Sequence, residues 1–287
     1  MRTAEETFCR PLKAGEFAKI RKLAYDTFGL DLRSGKEALV AARLGQQIRQ
    51  SGCASFEEYY HRVVDDSSGD SLVHLIDALT TNHTSFFREP DHFDFLRSTL
   101  LHGWRDRTGV GIWSAACSSG EEPYSIAMSV AQELGPASAR TVHILATDIS
   151  TRALATARRG IYPAARLEGL SAQVLRTFWL RGEREWAGTY RAKPELRALI
   201  EFRRLNLLAP DAQVGRFALI FCRNVMIYFD KPTQQRVVAH LAGCLEPGGY
   251  LLTGHAESLM GVQHELQYVR PAVYRKPVIG GPEKGPW

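Results

Sequence analysis

Small and acidic side chains follow two short apolar runs, and this pattern could hold a polar ligand where predicted strands end. The segment "SAACSSGEEPYS", residues 114–125, contains Gly120, where the missing side chain would let the backbone approach a ligand closely. Asp148 ends the next run, "VHILATD", where a carboxylate could accept hydrogen bonds from two ribose hydroxyls. Because Ser150 can cap the helix that follows, we predict that Asp148 serves a ligand instead.

Two later apolar runs end in the same way. Asn206 and Leu207 follow "IEFRRL", where an amide and an apolar side chain could bracket an adenine ring. Arg223, Asn224 and Tyr228 lie in "FCRNVMIYF", after a strongly apolar strand. In an open parallel sheet the ligand lies beyond the carboxyl ends of the strands, so these residues are predicted to share one site.

The residue types at this site argue against a dinucleotide. The first loop lacks a G-x-G-x-x-G pattern, and Glu121 and Glu122 would compete with a pyrophosphate for the amides at the start of the next helix. One of these acids caps the helix, and the other is a candidate ligand contact. A glycine-bearing loop, an acid after the second strand and no phosphate cradle favour S-adenosylmethionine, whose positive sulfonium suits acids and aromatic faces.

The elements that must position these residues change character near residue 90. The first 80 residues show only helical periodicity, with Gly29 as a stop and Ser55 as a cap. A hydroxyl-rich linker, "TTNHTSFFREP", follows. Strands then alternate with helices, which predicts a parallel sheet. Residues 161–205 interrupt that alternation and predict an inserted antiparallel subdomain, while "LQYVRPAVYRK" predicts a terminal hairpin.

Composition limits the class of protein. The chain has 287 residues, of which 45% are hydrophobic and 23% charged, as in ordinary globular proteins. The sequence shows no membrane-length apolar stretch and no signal peptide, so we predict a cytoplasmic protein without membrane insertion. The five cysteines and the histidines lack metal-ligand spacing, so no metal site is predicted. The net charge of +5 favours an acidic partner, either nucleic acid or protein, but is also ordinary for a cytosolic enzyme.

Six segments of the chain resemble the chemotaxis receptor methyltransferases, the CheR-type protein-glutamate O-methyltransferases, in matching order: "LTTNHTSFFREPDHF", "WSAACSSGEEPYSIA", "ATDIS", "ARRGIY", "FCRNVMIYFDKPTQ" and "LEPGGYLLTGHAES". The resemblance runs from about Leu23 to Tyr274. It implies an α/β fold, a Rossmann-like methyltransferase domain with a seven-stranded sheet. The implied domains are a helical one over 1–80, a linker over 81–92 that contributes to the cofactor site, and a methyltransferase domain over 93–287. An antiparallel β subdomain is expected near 180–200.

The resemblance also implies a reaction and a partner. It implies methyl transfer from S-adenosylmethionine, leaving S-adenosylhomocysteine, to glutamate side chains on the cytoplasmic helices of chemoreceptors. Residues that match family contacts to the cofactor are Asn82, Thr84, Arg88, Gly120, Glu122, Asp148, Asn206, Leu207, Arg223 and Asn224. Arg88 is also expected to orient the acceptor carboxylate, and Tyr228 to cover the methyl site, whereas Phe86 and Phe87 are expected to pack.

The predicted glutamate acceptor needs little activation by the protein. A glutamate is ionised at neutral pH, so its oxygen is already a nucleophile and no general base is needed. Alignment and exclusion of water should therefore dominate catalysis. Arg43 and Arg49 could dock acid-rich receptor helices, or could belong to a solvated helix face. Some family members hold a receptor tether peptide through the inserted subdomain, but this chain lacks the Gly-x-Gly turn associated with that use.

Two other functions remain open from the sequence. A nucleic-acid methyltransferase of the amino-group class would carry [ND]-P-P-[FY] after the fourth strand, where this chain has Asn224-Val225-Met226-Ile227-Tyr228. No basic tract with interleaved aromatics is present either. A non-catalytic S-adenosylmethionine-binding signalling module is the other alternative, and the presence of Arg88, Asp148 and Tyr228 speaks against it.

Overall fold

The computed structural model describes residues 12–80, 84–139, 141–209 and 214–278. These residues fall into two compact units. The first contains the described residues up to Thr80 together with Tyr228–Asp230, and the second contains the rest. Sequence analysis placed Tyr228 in the C-terminal domain, whereas the structure groups it with the N-terminal helices.

The first unit is helical, as its periodicity predicts. Its helices are α1 (Ala14–Phe28), α2 (Glu37–Ser51), α3 (Phe56–Asp65) and α4 (Asp70–Leu79). Gly29 ends α1 in a left-handed conformation with φ of 67°, which a residue without Cβ adopts at little cost. Ser55 caps α3, because its Oγ accepts from the backbone N–H of Glu58 at 3.1 Å. Both predicted helix ends are confirmed.

Three residues from the C-terminal half complete this unit. The N–H of Asp31 donates to the carbonyl of Tyr228 at 2.8 Å, and the hydroxyl of Tyr25 donates to the carboxylate of Asp230 at 2.8 Å. Arg43, a candidate docking residue, donates to the carbonyl of Leu79. It therefore satisfies an end carbonyl of α4, which is a structural role.

The second unit begins with short helical turns and continues as an α/β fold. Its helical elements are α5 (Pro90–Phe95), a π-helical turn (Leu96–Leu100), 3₁₀ turns (Leu101–Trp104, Ala164–Leu167, Arg184–Trp186), α6 (Glu121–Ala139), α7 (Thr151–Arg159), α8 (Ala172–Phe178), α9 (Pro194–Arg197) and α10 (Lys231–Cys244). A further 3₁₀ turn, Met226–Tyr228, follows the fourth core strand. Gly135 has φ of 74° inside α6, so the regular helix is interrupted where the sequence predicts its end.

In the part of the chain that the structure describes, ten strands form two sheets. They are β1 (Val110–Ser114), β2 (Val142–Asp148), β3 (Ile161–Pro163), β4 (Trp179–Arg181), β5 (Thr189–Ala192), β6 (Ile200–Arg204), β7 (Phe217–Cys222), β8 (Leu245–Thr253), β9 (Gln267–Arg270) and β10 (Val273–Arg275). Seven of them form one sheet in the order β6-β2-β1-β7-β8-β10-β9, so the predicted seven-stranded fold is confirmed. The predicted terminal hairpin is the antiparallel pair β9–β10.

The main sheet positions the site through its topology. Strands β6, β2, β1, β7 and β8 are parallel, and β10 runs antiparallel to β8. The chain leaves β1 toward β2 on one side and returns to β7 on the other. The strand order therefore reverses between β1 and β7, and a crevice at their carboxyl ends is the expected ligand site.

The predicted antiparallel insertion is a three-stranded sheet in the order β3-β5-β4. Its first strand, Ile161–Pro163, falls within the interruption predicted over residues 161–205, but before the region near 180–200 that the family resemblance implies. The run "IEFRRL" returns to the main sheet as β6, parallel to β2, as the sequence predicts. Among the described residues, no helix is both long enough and apolar enough to pass through a membrane.

Candidate active site

The loop between β1 and α6, residues 115–120, is fixed by neighbouring strands and is called here the β1–α6 loop. The N–H of Ala115 donates to the carbonyl of Phe221 in β7 at 2.8 Å. The N–H of Cys117 donates to the carbonyl of Thr147 in β2 at 2.9 Å. Backbone contacts to both flanking strands therefore hold the loop at the carboxyl edge of the sheet, where a ligand is expected.

Gly120 is required for packing rather than for the reason given from the sequence. Its φ is 101°, and a Cβ at this position would lie 2.8 Å from the Cβ of Ala157 and 2.8 Å from the hydroxyl of Tyr162. The space that its missing side chain leaves is thus filled by α7 and β3. Gly120 therefore lets the loop pack against the inserted sheet. This contact does not support the prediction that the missing side chain lets a ligand approach.

Asp148 lies at the end of β2 and accepts two backbone hydrogen bonds. Its Oδ2 accepts from the N–H of Ser118 at 2.7 Å, and its Oδ1 accepts from the N–H of Ser150 at 2.9 Å. Ser150 caps α7 by accepting from Ala153 at 3.0 Å, as predicted. The carboxylate of Asp148 therefore joins the β1–α6 loop to the start of α7.

The two acids that open α6 have different surroundings. Glu121 is 1% exposed, accepts from the hydroxyl of Ser119 at 2.7 Å and contacts Arg166 at 3.4 Å, so it joins the loop to the inserted region. Glu122 accepts from the hydroxyl of Ser114 at 2.7 Å and from Nη1 of Arg223 at 3.0 Å. Burial raises the pKa of Glu122, and Arg223 opposes that rise. Glu122 is the acid that faces the strand ends, and its role as a cofactor contact stays a prediction.

Arg223, at the end of β7, is the centre of a buried charge cluster. Its side chain is 2% exposed, and its guanidinium donates to Glu89 Oε2 at 3.0 Å and 3.3 Å and to Glu122 Oε2 at 3.0 Å. It also donates to the carbonyl of Arg88. Three chain segments, the linker, α6 and β7, therefore meet at one cation.

Asn224 has a left-handed backbone with φ of 59°, and two carboxylates hold it. Its side-chain amide donates to Glu89 Oε1 at 3.2 Å, and its N–H donates to Glu257 Oε2 at 2.7 Å. Glu257 is 5% exposed and also accepts from the N–H groups of Gly254 at 2.7 Å and Ile227 at 3.1 Å. Glu257 therefore fixes the backbone of the turn that follows β7.

The structure shows fewer contacts for the remaining predicted site residues. Thr84 is half-buried, and its carbonyl accepts from Arg166 at 3.1 Å. Leu207 is 8% exposed and follows β6, whose end is tied to β2 because Leu205 donates to the carbonyl of Asp148 at 3.0 Å. Asn206 accepts from the N–H of Leu208 at 3.0 Å, which shapes a turn. Asn82 lies outside the described residues, and Tyr228 lies in the first unit, so their roles stay predictions.

A group of potential metal donors that sequence spacing did not reveal lies beside the charge cluster. Donor atoms of Glu89, His92 and His255 lie within 4.8 Å of one another. However, the carboxylate of Glu89 already accepts from Arg223, from Asn224 and from the backbone N–H of His255, and the guanidinium lies next to it. Since that cation would repel a divalent ion, the group is better read as part of the Arg223 cluster.

The residues present fit S-adenosylmethionine. The hydroxyl of Ser118 is buried and has no hydrogen-bond partner among the described residues, so it is a donor and acceptor left for a polar ligand. The same loop ends in the acids that a positive sulfonium favours, and the carboxylate of Asp148 is of the type that binds ribose hydroxyls. This loop lacks the G-x-G-x-x-G pattern that cradles a pyrophosphate in dinucleotide sites.

Sequence reasoning missed Glu89 and Glu257. Glu257 follows β8, so the rule that was applied to four strand ends would have found it at the fifth. Glu89 stands beside Arg88 in the linker, but its role depends on the burial of Arg223. Spacing along the chain carries no signal for that tertiary contact.

Comparison with known proteins agrees with this site. Residues 15–80 match the family model for the all-alpha domain of CheR methyltransferases, and residues 82–274 match the model for their SAM-binding domain. This chain belongs to the CheR methyltransferase family. The match confirms the family predicted from the motifs and S-adenosylmethionine as the cofactor, and it does not favour the nucleic-acid or non-catalytic alternatives.

Curated relatives resemble this CheR methyltransferase along nearly their whole length. Chemotaxis protein methyltransferase 2 of Pseudomonas aeruginosa is 41% identical over 90% of this chain and 92% of its own. The chemotaxis protein methyltransferases of Borreliella burgdorferi and Escherichia coli are 37% and 38% identical, over 91% and 92% of this chain and 94% and 91% of theirs. Among solved structures, the N-methyltransferase NodS of Bradyrhizobium japonicum matches at 18% identity with a TM-score of 0.33, over 59% of this chain and 62% of its own, which is too low to argue from.

We predict that replacing Glu257 by Gln weakens both the fold and the cofactor site. The amide group would face three backbone donors, so we expect a loss of about 1–3 kcal/mol in the free energy of unfolding. We also expect roughly tenfold weaker binding of S-adenosylhomocysteine, because Asn224 would shift. Urea denaturation and calorimetry measure the two effects. Glu246→Gln is the matched control, since Glu246 pairs with Arg107 at the surface. Equal stability and affinity in E257Q and wild type would refute the role.

We predict that His92 makes the fold sensitive to mild acid. His92 is 1% exposed, its ring nitrogens have no hydrogen-bond partner among the described residues, and burial lowers its pKa to about 3. Below pH 6.5, His92 becomes protonated in the unfolded chain but stays neutral in the folded chain. The free energy of unfolding therefore falls as the pH falls. This residue should account for about 2 kcal/mol between pH 7 and pH 5. Denaturant midpoints at both pH values measure it. His92→Phe should reduce the loss, and the exposed control His102→Phe should not.

Proposed function

We propose that this CheR methyltransferase transfers methyl groups from S-adenosylmethionine to glutamate side chains of chemoreceptors and forms methyl esters there. The observation that carries the proposal is that the family match runs through both units, with high identity to named chemotaxis protein methyltransferases. Its expected location, the cytoplasm, is part of the same proposal.

The side chains near the site support direct transfer to an anionic acceptor. S-adenosylmethionine supplies an electrophilic methyl group on a positively charged sulfur. Cys222 and Cys117 are buried, and burial raises the pKa of each thiol well above its usual value, so neither is a nucleophile at neutral pH. Because a glutamate acceptor is already ionised, the protein has to bind and align it rather than activate it.

Arg88 is our candidate for holding the acceptor carboxylate. Its backbone is fixed on both sides, because the N–H of Phe87 donates to the hydroxyl of Ser125 at 2.9 Å and Arg223 donates to the carbonyl of Arg88. A guanidinium can bind a carboxylate through two parallel hydrogen bonds, which an ammonium cannot reproduce. Tyr228 is proposed to cover the methyl site, and this proposal rests on the family resemblance.

We predict that Arg88→Lys lowers methyl transfer by about 10- to 100-fold, because the acceptor would be misaligned although the charge is kept. The measurement uses methyl-labelled S-adenosylmethionine and membranes that contain the cognate receptor. Arg107→Lys, at an exposed ion pair, is the matched control and should retain full activity. If R88K were as active as wild type, the role of Arg88 would be wrong.

The same assay tests the reaction itself. A glutamate methyl ester releases labelled methanol on mild base treatment, so base-labile label in the receptor supports the proposal. Base-stable label in nucleic acid would support a nucleic-acid methyltransferase instead. Cofactor binding without any transfer would support a non-catalytic binding module. Each outcome selects one of the three functions.

We also propose that the inserted sheet binds a tether peptide from the receptor, although it lacks the Gly-x-Gly turn associated with that use. Strand β4 is an edge of that sheet, and Leu180 in it is 48% exposed, as an added strand would require. Residues 151–204 carry twelve Lys and Arg against five Asp and Glu, a net charge of +7, although the whole chain carries only +5. The inserted region is therefore the part of the chain that would attract an acidic peptide.

We predict that a peptide from the C-terminus of the cognate receptor binds this region and that its affinity falls as salt rises. Leu180→Ala should weaken the peptide at least about threefold through lost apolar contact. Val269→Ala is the matched control, because Val269 is a similarly exposed aliphatic residue on β9, an edge of the other sheet. Fluorescence anisotropy measures both. No binding, or equal weakening by the two variants, would exclude a tether at β4.

A further inference from the structure

The inserted sheet reaches the β1–α6 loop through one tyrosine. Tyr162, in β3, is 2% exposed, and its hydroxyl donates to the carbonyl of Ser119 at 2.7 Å. The same hydroxyl lies 2.8 Å from where a Cβ on Gly120 would stand. Tyr162 therefore contacts both residues at the end of the loop that leads into α6.

The hydrogen bond from Tyr162 restrains more of the loop than the carbonyl that accepts it. The carbonyl of Ser119 and the N–H of Gly120 belong to one rigid peptide plane. That N–H donates to the carbonyl of Cys117 at 3.0 Å and closes the turn of the loop. If the plane rotated so that the Ser119 carbonyl met water, this turn would open as well. Asp148 already holds Ser118, the preceding residue, through its N–H.

Tyr162 itself cannot move easily. Its ring packs edge-on against Phe86 of the linker, with centroids 5.2 Å apart, and lies 5.7 Å from Trp179 in β4. Tyr162 also pairs with Tyr190 in the antiparallel register of β3 and β5. A residue held by two strands and an aromatic cluster can impose its geometry on a loop that would otherwise face solvent.

A second contact from the same region reinforces this restraint. Arg166, in the 3₁₀ turn that follows β3, donates to the carbonyl of Thr84 at 3.1 Å and contacts Glu121 Oε1 at 3.4 Å. Glu121 in turn accepts from the hydroxyl of Ser119. The inserted region thus holds both the linker and the loop through two side chains, those of Tyr162 and Arg166.

We propose that Tyr162 is a positioning residue for cofactor binding: it fixes the peptide plane between Ser119 and Gly120 and keeps the β1–α6 loop in the shape that binds S-adenosylmethionine. The inference rests on the proposed function, because it assigns the β1–α6 loop to that cofactor. Under this proposal the inserted sheet supports the cofactor site, and it can do so whether or not the sheet also binds a partner.

The test compares two tyrosines of one cluster. Tyr162→Phe removes a single oxygen and keeps the ring in place. Tyr124→Phe is the matched control, because the hydroxyl of Tyr124 is also buried and donates to a carbonyl at 3.0 Å, but that carbonyl belongs to Ala157 in α7. Y162F loses the hydrogen bond to Ser119, whereas Y124F loses the one to Ala157 together with a hydrogen bond from Arg197, so the loss of thermal stability in Y124F is expected to be at least as large. Only Y162F releases the loop.

Calorimetry with S-adenosylhomocysteine and steady-state kinetics then separate positioning from general stability. We expect Y162F to weaken S-adenosylhomocysteine binding about fivefold or more and to raise the KM for S-adenosylmethionine similarly, while the KM for receptor stays unchanged. Y124F should stay within about twofold of wild type in both. Amide hydrogen exchange gives a second measurement, in which Gly120 should exchange faster in Y162F and not in Y124F.

Other results would overturn the inference. If Y162F bound as tightly as wild type, with unchanged exchange at Gly120, the loop would not depend on Tyr162. If both variants weakened binding equally, the effect would be one of packing and the specific role would be wrong. Failure of wild-type protein to bind S-adenosylhomocysteine would instead refute the proposed function, so the two failures are distinguishable.

Discussion

The site depends on the burial of one positive charge, the guanidinium of Arg223. Removing such a group from water costs several kcal/mol unless hydrogen-bond partners replace the water. Glu89 and Glu122 supply two carboxylates, and the linker carbonyl of Arg88 supplies a further acceptor. Because these partners come from segments distant in sequence, neutralising Arg223 brings the linker, α6 and the end of β7 to one point. The main sheet sets the positions of β7 and α6, but the linker is fixed there by charge.

This arrangement also sets the electrostatic character of the crevice. The cluster sets two carboxyl groups, those of Glu89 and Glu122, against the single guanidinium of Arg223, and Asp148 adds a further carboxyl group at the end of β2. Burial raises the pKa of Glu122, whereas Arg223 holds the pKa of Glu89 below its usual value despite partial burial. Within this group of four side chains, three are acids and one is a cation. A positively charged sulfur ligand is favoured there, whereas a pyrophosphate would be repelled. The residue types alone indicate this preference for a cationic ligand, because it depends on which acids end the strands and not on their detailed contacts.

The sequence predicted the parts of the structure that local periodicity and strand ends determine. The helical unit, the alternation of strands and helices, the insertion, the caps at Ser55 and Ser150, and the place of Asp148 and Glu122 were all accessible. Contacts made across the sheet were not. The sequence suggested that Gly120 opens space for a ligand, but Tyr162 and Ala157 fill that space. The end of β8 points to Glu257, but nothing in the sequence shows its donors from Asn224 and Ile227, because these reach it only when β7 and β8 pair.

Backbone strain shows how far the site is organised before a ligand arrives. Among the described residues, six non-glycine residues have a positive φ and four of them lie in the site; a left-handed backbone costs such residues roughly 1–2 kcal/mol each. They are Phe87, Glu89, Ser118 and Asn224. Each is held by a specific hydrogen bond, to Ser125, Arg223, Asp148 and Glu257 in turn. The free-energy cost of these conformations is met when the protein folds, so ligand binding does not have to reorganise the loop and the linker. The buried carboxylates keep the strained backbone in place.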